Sequence, residues 1–250
     1  MPETHQERQL AESFGADAER YDRARPRYPA ELIQRIAAPT VLDVGCGTGI
    51  VARQLQAAGS TVLGVDADPR MAAMARTRGV DCEVAKFEEW DPAGRTFDAV
   101  TAGQTWHWVD PAAGAARAAE ALEPGGRLTI FWNAFLTPAS VGEVFADAYA
   151  KAVPEIPRKV FTEPGDRPYG AMMDTAADGM KDHFTEPERW RFEWEQTYTK
   201  EAWLDLVPTQ AFSSRLTPDR LAALLADLGA AIDKTITMNY VTVAISATRR

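Results

Sequence analysis

The chain has 250 residues, of which 46% are hydrophobic and 25% are charged, and it carries a net charge of -9 with a pI near 5.0. These proportions exclude a disordered, collagen-like or disulfide-stapled chain and predict a single domain over residues 1–250. The acidic balance, without a basic patch, disfavours nucleic acids and membranes as partners, so we expect a small-molecule ligand and a monomer or homodimer. The absence of a signal peptide, a bilayer-spanning run and a CxxC motif predicts a cytoplasmic protein.

Residues 1–39 are predicted to form a helical lid. Phe14, Ala18 and Tyr21 follow the i, i+4, i+7 spacing that places side chains on one face of a helix. The segment Arg25-Pro-Arg-Tyr-Pro29 then ends this helix, because proline lacks a backbone donor and restricts the residue before it. A second, shorter helix is expected to lead into the next region.

Residues 40–133 alternate regularly between strand and helix patterns. Strands are predicted at five places: Thr40 to Val44, Thr61 to Val65, Val80 to Ala85, Phe97 to Ala102 and Arg127 to Trp132. Two of the intervening helices have clear starts, since Asp68 and Asp110 are capping side chains and each precedes a proline. Strands separated by helices predict a parallel sheet with right-handed crossovers.

Residues 134–250 do not continue this alternation of strands and helices. Residues 134–186 hold many prolines and glycines between helix-like pieces and are predicted to be an inserted helical cap. Within residues 187–250, Arg189 to Tyr198 and Thr235 to Thr248 are predicted strands. We expect these two strands to pair antiparallel at one edge of the sheet and to complete it.

The turn after the first strand is the main functional signal. Residues 41–49 read VLDVGCGTG, and glycines in such a turn let a cofactor approach the backbone without meeting a Cβ atom. Ligands of open α/β sheets bind beyond the carboxyl ends of the strands. Asp66 ends the second strand roughly 20 residues after the turn, the spacing at which an acid reaches a ribose hydroxyl. The pattern predicts a cofactor that contains ribose.

The glycine spacing discriminates between cofactors. Dinucleotide-binding turns follow G-x-G-x-x-G, and here Ile50 occupies the position of the third glycine. This departure disfavours a nicotinamide-dependent oxidoreductase, which stays open as an alternative together with a catalytically silent cofactor-binding protein.

Four stretches in chain order resemble the motifs of class I S-adenosylmethionine-dependent methyltransferases. They read VLDVGCGTG, VAKFEEWD, TFDAVTAGQTWHWVD and LEPGGRLTIFWN, and Asp66 matches the acid that ends the second strand in that family. The stretches FGADAERYDRARPRYP and GQTWHWVD are similar to a bacterial small-molecule subgroup related to trans-aconitate methyltransferases. The resemblance implies a Rossmann-like α/β fold with a seven-stranded mixed sheet, helices on both faces, an antiparallel last strand and a helical cap.

The same resemblance implies S-adenosyl-L-methionine as cofactor, methyl transfer to a small organic acceptor, and a set of cofactor-binding residues. That set is Asp43, Gly45, Gly47, Asp66, Ala67, Phe87, Glu88 and Gln104. By position, Asp43 would face the methionine ammonium, Asp66 the ribose hydroxyls, and Gln104 the methionine arm. Ala67 and Phe87 would enclose the adenine, with Glu88 at its edge. One departure is Lys86, which stands where many relatives carry Asp.

The acceptor pocket is predicted from aromatic and polar residues near the strand ends and in the lid. The candidates are Tyr21, Tyr28, Trp106, Trp108, Trp132 and Asn133, and tryptophans in such places are also common packing residues. His107 is the predicted general base and Tyr21 a second catalytic candidate; the alternative for His107 is a structural role. Arg23, Arg25 and Arg27 could bind a carboxylate or simply be solvated. The three histidines lack metal-ligand spacing, so no metal is predicted.

Overall fold

The computed structural model describes residues 14–155, 158, 167–213 and 216–250. The first part of the predicted lid, residues 1–13, and most of 156–166 in the predicted cap lie outside the described residues.

Seven strands form one mixed sheet, as predicted. They are β1 Thr40–Val44, β2 Thr61–Asp66, β3 Asp81–Val84, β4 Phe97–Gly103, β5 Leu122–Leu136, β6 Glu188–Thr199 and β7 Thr235–Thr248. Their order across the sheet is β3-β2-β1-β4-β5-β7-β6. β7 pairs antiparallel with both β5 and β6, whereas all other neighbours are parallel. The strand order reverses between β1 and β4, so a crevice opens beyond their carboxyl ends.

Nine α-helices lie within the described part of the chain. They are α1 Ala18–Ala24, α2 Ala30–Ile36, α3 Ile50–Ala57, α4 Pro69–Thr77, α5 Pro111–Ala121, α6 Ala139–Ala152, α7 Arg167–Met180, α8 Lys200–Leu206 and α9 Pro218–Ala231. The two predicted caps are present: the Asp68 carboxylate accepts from the Arg70 amide at 2.9 Å, and the Asp110 carboxylate accepts from the amides of Ala112 and Ala113. None of the described helices is long and apolar enough to cross a membrane.

Three apolar cores hold the layers together. One face of the sheet packs against α5 and α7, and the opposite face packs against α2, α3 and α4. A third core joins α6, α8 and α9 to the far ends of β6 and β7. Helices on both faces of a mixed sheet confirm the predicted fold class.

The main difference from the predicted elements is in β5. We expected a strand from Arg127 to Trp132, but the observed strand runs from Leu122 to Leu136. Its second half pairs with β7 as far as Leu136 opposite Asn239. The strand therefore extends into the region predicted as cap, because a partner strand distant in sequence continues the hydrogen-bond ladder.

Candidate cofactor and acceptor site

A cavity of about 480 Å³ lies at the carboxyl ends of β1, β2, β4 and β5. The N-terminal segment, α7 and the segment after α8 form its other walls. Its position at the strand-order reversal is the one predicted for a ligand site.

The glycine turn forms the floor of the cavity, and two of its glycines have distinct reasons to be glycine. Gly45 has φ +60, and a Cβ there would overlap the Thr105 side chain. Gly47 has φ +57, but a Cβ there would meet only the Met71 Cε at 3.5 Å. Since side chains rarely adopt this backbone conformation, both positions favour glycine. Gly47 additionally leaves the space above it open to a ligand.

Asp66 connects the turn to the end of β2. One carboxylate oxygen accepts from the Gly47 amide and the other from the Asp68 amide, each at 2.8 Å. Burial raises the pKa of Asp66 to about 6, against the lowering effect of these two amides. Each oxygen keeps a second lone pair, so the carboxylate can still accept from a pair of neighbouring hydroxyls.

Asp43 is the second acid of the site and, unlike the half-buried Asp66, is only 1% exposed. Its Oδ1 accepts from the Thr101 hydroxyl at 3.0 Å, and the Ala52 amide in the first turn of α3 also acts to lower the pKa of this carboxyl group. Oδ2 is buried and accepts no hydrogen bond of good geometry from the described residues. Burial raises the pKa of Asp43 to about 7. A buried carboxylate oxygen without a donor is costly in the free protein, and a cationic ligand group would satisfy it.

The residues predicted for the adenine also line the cavity. Ala67, Phe87 and Glu88 all line it, together with the exposed Lys86. The Phe87 ring is 4% exposed and packs between Trp90 and Trp106, so most of it is committed to the core. Glu88 accepts from the Asp110 amide at 2.9 Å, which gives it a structural role at the start of α5.

Gln104 lies where β4 ends and has a strained backbone. Its φ of +58 is uncommon for a residue with a side chain. The backbone amide donates to the Phe131 carbonyl at 2.8 Å, and Nε2 donates to the Asn133 carbonyl at 3.0 Å. These bonds to β5 hold Gln104 at the carboxyl end of β4, where it lines the cavity.

His107 borders the cavity, but its hydrogen bonding argues against the predicted role as general base. The Trp132 Nε1 donates to the His107 Nδ1 at 3.2 Å. Because an indole can only donate, Nδ1 carries the lone pair and the proton of the neutral ring is on Nε2. Burial lowers the pKa of His107 to about 4, so the ring is neutral at pH 7. The ring therefore presents an N–H donor.

Two tryptophans predicted to face the acceptor belong to the core instead. Trp106 is 2% exposed, packs against Phe87 and does not border the cavity. Trp132 is completely buried and reaches the site only through His107. Trp108, in contrast, does line the cavity. The prediction is thus corrected for Trp106 and Trp132.

The other acceptor candidates lie along the N-terminal segment and β5. Tyr21 lines the main cavity, and Tyr28 lines a narrow recess that continues it beneath the lid. Asn133 borders both spaces, and its Nδ2 donates to the Arg27 carbonyl at 3.4 Å. Its Oδ1 accepts from the Thr242 hydroxyl at 2.6 Å. Asn133 thus connects the N-terminal segment to the sheet.

Helix α1 forms ion pairs with neighbouring helices on two sides. Asp22 is buried and pairs with Arg53 of α3 and, at 3.1 Å, with Arg78 at the end of α4. Burial raises the pKa of Asp22, but its hydrogen bond with Arg53 and the other nearby groups lower it more, so the net direction is downward. On the opposite side, Arg23 pairs with Asp205 of α8 at 2.9 Å. Helix α1 is therefore held by ion pairs to α3, to the end of α4 and to the C-terminal helix α8.

Several wall residues were not predicted. They share an aromatic or apolar character and come from β5, β7, α7, α8 and the segment after α8: Phe135, Tyr169, Met172, Leu206, Phe212 and Tyr240. No local motif marks them, because each is brought to the site by pairing or packing that is distant in sequence. The Tyr169 hydroxyl donates to the Asn133 carbonyl at 3.2 Å, beside Gln104.

Comparison with known proteins gives consistent matches. Residues 21–235 match a family model described as a methyltransferase domain. An uncharacterized methyltransferase of Mycobacterium tuberculosis strain H37Rv is 32% identical over 263 residues, which cover 96% of this chain and 97% of the relative. The trans-aconitate 2-methyltransferase of M. tuberculosis strain H37Ra is 31% identical over 148 residues, 55% of this chain and 56% of that protein.

A solved structure shares the fold. A proposed type II methyltransferase from Anaeromyxobacter dehalogenans is similar with a TM-score of 0.66 at 23% identity, covering 90% of this chain and 97% of that one.

Proposed function

The chain belongs to the class I S-adenosylmethionine-dependent methyltransferases, and from this membership we propose that it methylates a small organic acceptor held between Gln104 and the aromatic wall. The observation that carries the proposal is that one cavity joins two chemically different halves. One half has the glycine turn and Asp66, with the buried Asp43 in the adjoining recess, and the other is lined by aromatic and apolar side chains.

The first half fits the cofactor. The unpartnered Oδ2 of Asp43 suits the methionine ammonium, the open space above Gly47 suits the ribose, and the remaining lone pairs of Asp66 suit the ribose hydroxyls. Ala67, Phe87 and Glu88 would border the adenine. When bound, the cofactor supplies a methyl group that its sulfonium already makes electrophilic. The protein's task is then to align the acceptor and exclude water.

The second half indicates what kind of acceptor is held. Phe135, Met172, Leu206 and Phe212 offer apolar contacts, and Tyr169 and Tyr240 add aromatic surface. Such a wall fits a small, largely apolar or planar molecule with few polar groups. One relative is named a trans-aconitate 2-methyltransferase, and Arg25, which borders both the main cavity and the recess, is the cationic group that could hold a carboxylate on an acceptor of this chain.

His107 and Tyr21 are proposed to orient the acceptor. The Nε2–H of His107 is fixed as a donor by Trp132, so it can hold an acceptor oxygen without removing a proton. Tyr21 closes the cavity from the lid side. With these groups, the acceptor nucleophile would be aligned by hydrogen bonds and shape instead of being activated by the imidazole.

The test is a transfer assay with S-adenosylmethionine labelled in its methyl group and a panel of small acceptors, sorted by charge and by apolar surface. We expect labelled product with at least one small, mainly apolar acceptor and a slower reaction with peptides or nucleic acids. Cofactor binding without turnover on any panel member would instead support the catalytically silent alternative.

The predictions about partners and location also belong here. We propose that the protein acts without a nucleic-acid partner, in the cytoplasm, as a monomer or homodimer. Light scattering of the purified chain distinguishes the two oligomeric states, and a gel-shift assay with nucleic acid should give no complex.

A further inference from the structure

Strand β6 is the last strand at one edge of the sheet. It pairs with β7 along its whole length of 12 residues, in an unbroken register from Glu188 opposite Ser246 to Thr199 opposite Thr235. No other strand in the described part of the chain pairs with it, and its sequence contains no proline. The outer edge of β6 therefore presents a regular row of backbone N–H and C=O groups that can bind a further strand.

The side chains of β6 alternate between two faces of the sheet. Trp190 and Phe192 are buried on one face, whereas the other face is exposed and carries charges of both signs. In chain order these charged residues are two cations followed by two anions, namely Arg189, Arg191, Glu193 and Glu195. The exposed face of β6 thus has one positive half and one negative half.

This order of charges is complementary to itself when two copies of β6 pair antiparallel. A two-fold axis at Phe192 places Arg189 opposite the partner's Glu195. The same axis places Arg191 opposite the partner's Glu193. Moving the axis by one residue places Arg191 opposite itself or Glu193 opposite itself, and like charges directly opposite each other are destabilising. One register therefore brings opposite charges together at every charged position of this face.

Charges on an edge strand can also keep other strands away. A uniform run of like charges would repel a second copy in every register, whereas the divided charges of β6 attract a second copy in one register. Within one chain, Arg189 pairs with Asp174 at 2.7 Å and Arg191 pairs with Glu193 at 3.0 Å. Both pairs are exposed and contribute little to stability, so these side chains can pair across an interface instead.

We propose that the protein is a homodimer in which two β6 strands pair antiparallel about a two-fold axis at Phe192. The two seven-stranded sheets then join into one continuous sheet. None of the residues of β6 lines the main cavity, and the axis, which is perpendicular to the sheet, turns the two cavities toward opposite ends of the dimer. The interface leaves both cavities free, and this proposal does not depend on the proposed methyl transfer.

The experiment is analytical ultracentrifugation of the wild type and two charge-reversed variants over a range of micromolar concentrations. Arg189→Glu/Arg191→Glu makes the whole face negative, and Glu193→Arg/Glu195→Arg makes it positive. We expect the wild type to dimerise and each double variant to have a dimer dissociation constant at least about 100-fold higher, because every opposite-charge pair becomes a like-charge pair. An equimolar mixture of the two variants should form a heterodimer of wild-type affinity, since opposite charges then face each other again.

The matched control is the variant that carries all four substitutions. It keeps the net charge of -9 and exchanges the two halves of the face, so it should dimerise as the wild type does. Circular dichroism should show every variant folded, since the four side chains are exposed. A monomeric wild type overturns the proposal, as does a dimer that persists undiminished in both double variants. A mixture of the two that stays monomeric overturns the register about Phe192 and with it the proposed interface.

Discussion

At the scale of single residues, the pKa values of the two acids of the site, the buried Asp43 and the half-buried Asp66, are the features that bear most on ligand binding. Asp43 and Asp66 each have a pKa raised by burial, to about 7 and about 6. In the free protein, Asp43 thus holds its proton up to nearly neutral pH. A cationic or hydroxyl-bearing ligand favours the ionised forms, so ligand binding and proton release are coupled.

This coupling predicts a pH-dependent affinity for the cofactor. Below pH 7 a proton must leave Asp43 before the ammonium can bind, so affinity should rise with pH between 6 and 8. We expect binding at pH 6 to be about tenfold weaker than at pH 8. Calorimetry in buffers of different ionisation enthalpy should detect the released proton near pH 6.5. Asp43→Asn should remove most of this dependence, and a pH-independent wild type would contradict the ionisation scheme.

His107 gives a second prediction, which separates a hydrogen-bond donor from a general base. Loss of a neutral hydrogen bond is worth about 0.5–1.5 kcal/mol, whereas a lost general base typically costs roughly 100- to 10,000-fold in rate. We expect His107→Ala to slow single-turnover transfer by only about 2- to 10-fold. Because the ring is neutral above about pH 5, turnover at saturating cofactor should show no inflection near the ordinary histidine pKa.

Trp132→Phe is the informative companion to that variant, since it removes the donor that fixes the histidine tautomer. It should reduce the rate by a similar factor while cofactor affinity is retained. A 1,000-fold loss in His107→Ala, with an acid limb near pH 6.5, would restore the base role.

The glycine turn supports a third prediction. Gly47 and Gly79 both have positive φ, but an alanine Cβ at Gly79 meets nothing, whereas one at Gly47 extends toward the ligand space. Each alanine variant should lose about 1–2 kcal/mol of unfolding free energy from backbone strain. Only Gly47→Ala should also weaken binding of S-adenosylhomocysteine, measured by calorimetry. Equal binding by both variants would show that the cofactor does not approach Gly47.

At the scale of elements, helix α1 is the candidate lid of the cavity. α1 contributes Tyr21 to the wall and is fastened through Asp22 and Arg23 to elements on both sides. The Arg23–Asp205 pair is partly exposed and contributes little on its own, so this side of α1 should open more readily than the sheet.

We therefore expect S-adenosylhomocysteine to slow amide hydrogen exchange in α1 and in the following segment as far as Ala30. Strand β6, which lies at the far edge of the sheet, serves as the internal control and should exchange equally with and without ligand. Unchanged exchange in α1 would make the segment a permanently packed terminus instead of a lid.

The same scale shows what could be predicted from the sequence and what could not. β1 and β7 have the predicted bounds, and Asp68 and Asp110 cap the predicted helices, because hydrophobic pattern and capping are local signals. The length of β5 depends on pairing with β7, about a hundred residues away. That pairing leaves no trace in the local sequence.

The direction of the side chains near the strand ends also could not be predicted from the sequence. Trp106, His107 and Trp108 are consecutive, yet a short 3₁₀ turn directs the first into the core and the other two toward the cavity. Tyr169 and Tyr240 join the site only through the packing of α7 and the antiparallel position of β7. The cofactor half of the site follows a motif, whereas the acceptor half depends on long-range contacts.

At the scale of the whole molecule, the parallel half of the sheet forms the floor of the cavity, and α1, α7 and the C-terminal elements form its other walls. The proposed function assigns the floor to the cofactor and the other walls to the acceptor. In this arrangement the cofactor contacts come from rigid strand ends, and the acceptor contacts come from the surrounding helices and segments. These roles depend most directly on the claim that Asp66 and the glycine turn hold S-adenosylmethionine.

Titration calorimetry of the wild type and Asp66→Ala with S-adenosylmethionine and NAD tests this claim. We predict one bound S-adenosylmethionine per chain and no NAD binding in the wild type. Asp66→Ala should lose about 1.5–3 kcal/mol of binding free energy while circular dichroism shows a folded protein. Unchanged affinity in the folded variant, or NAD binding as tight as that of S-adenosylmethionine, would contradict the account.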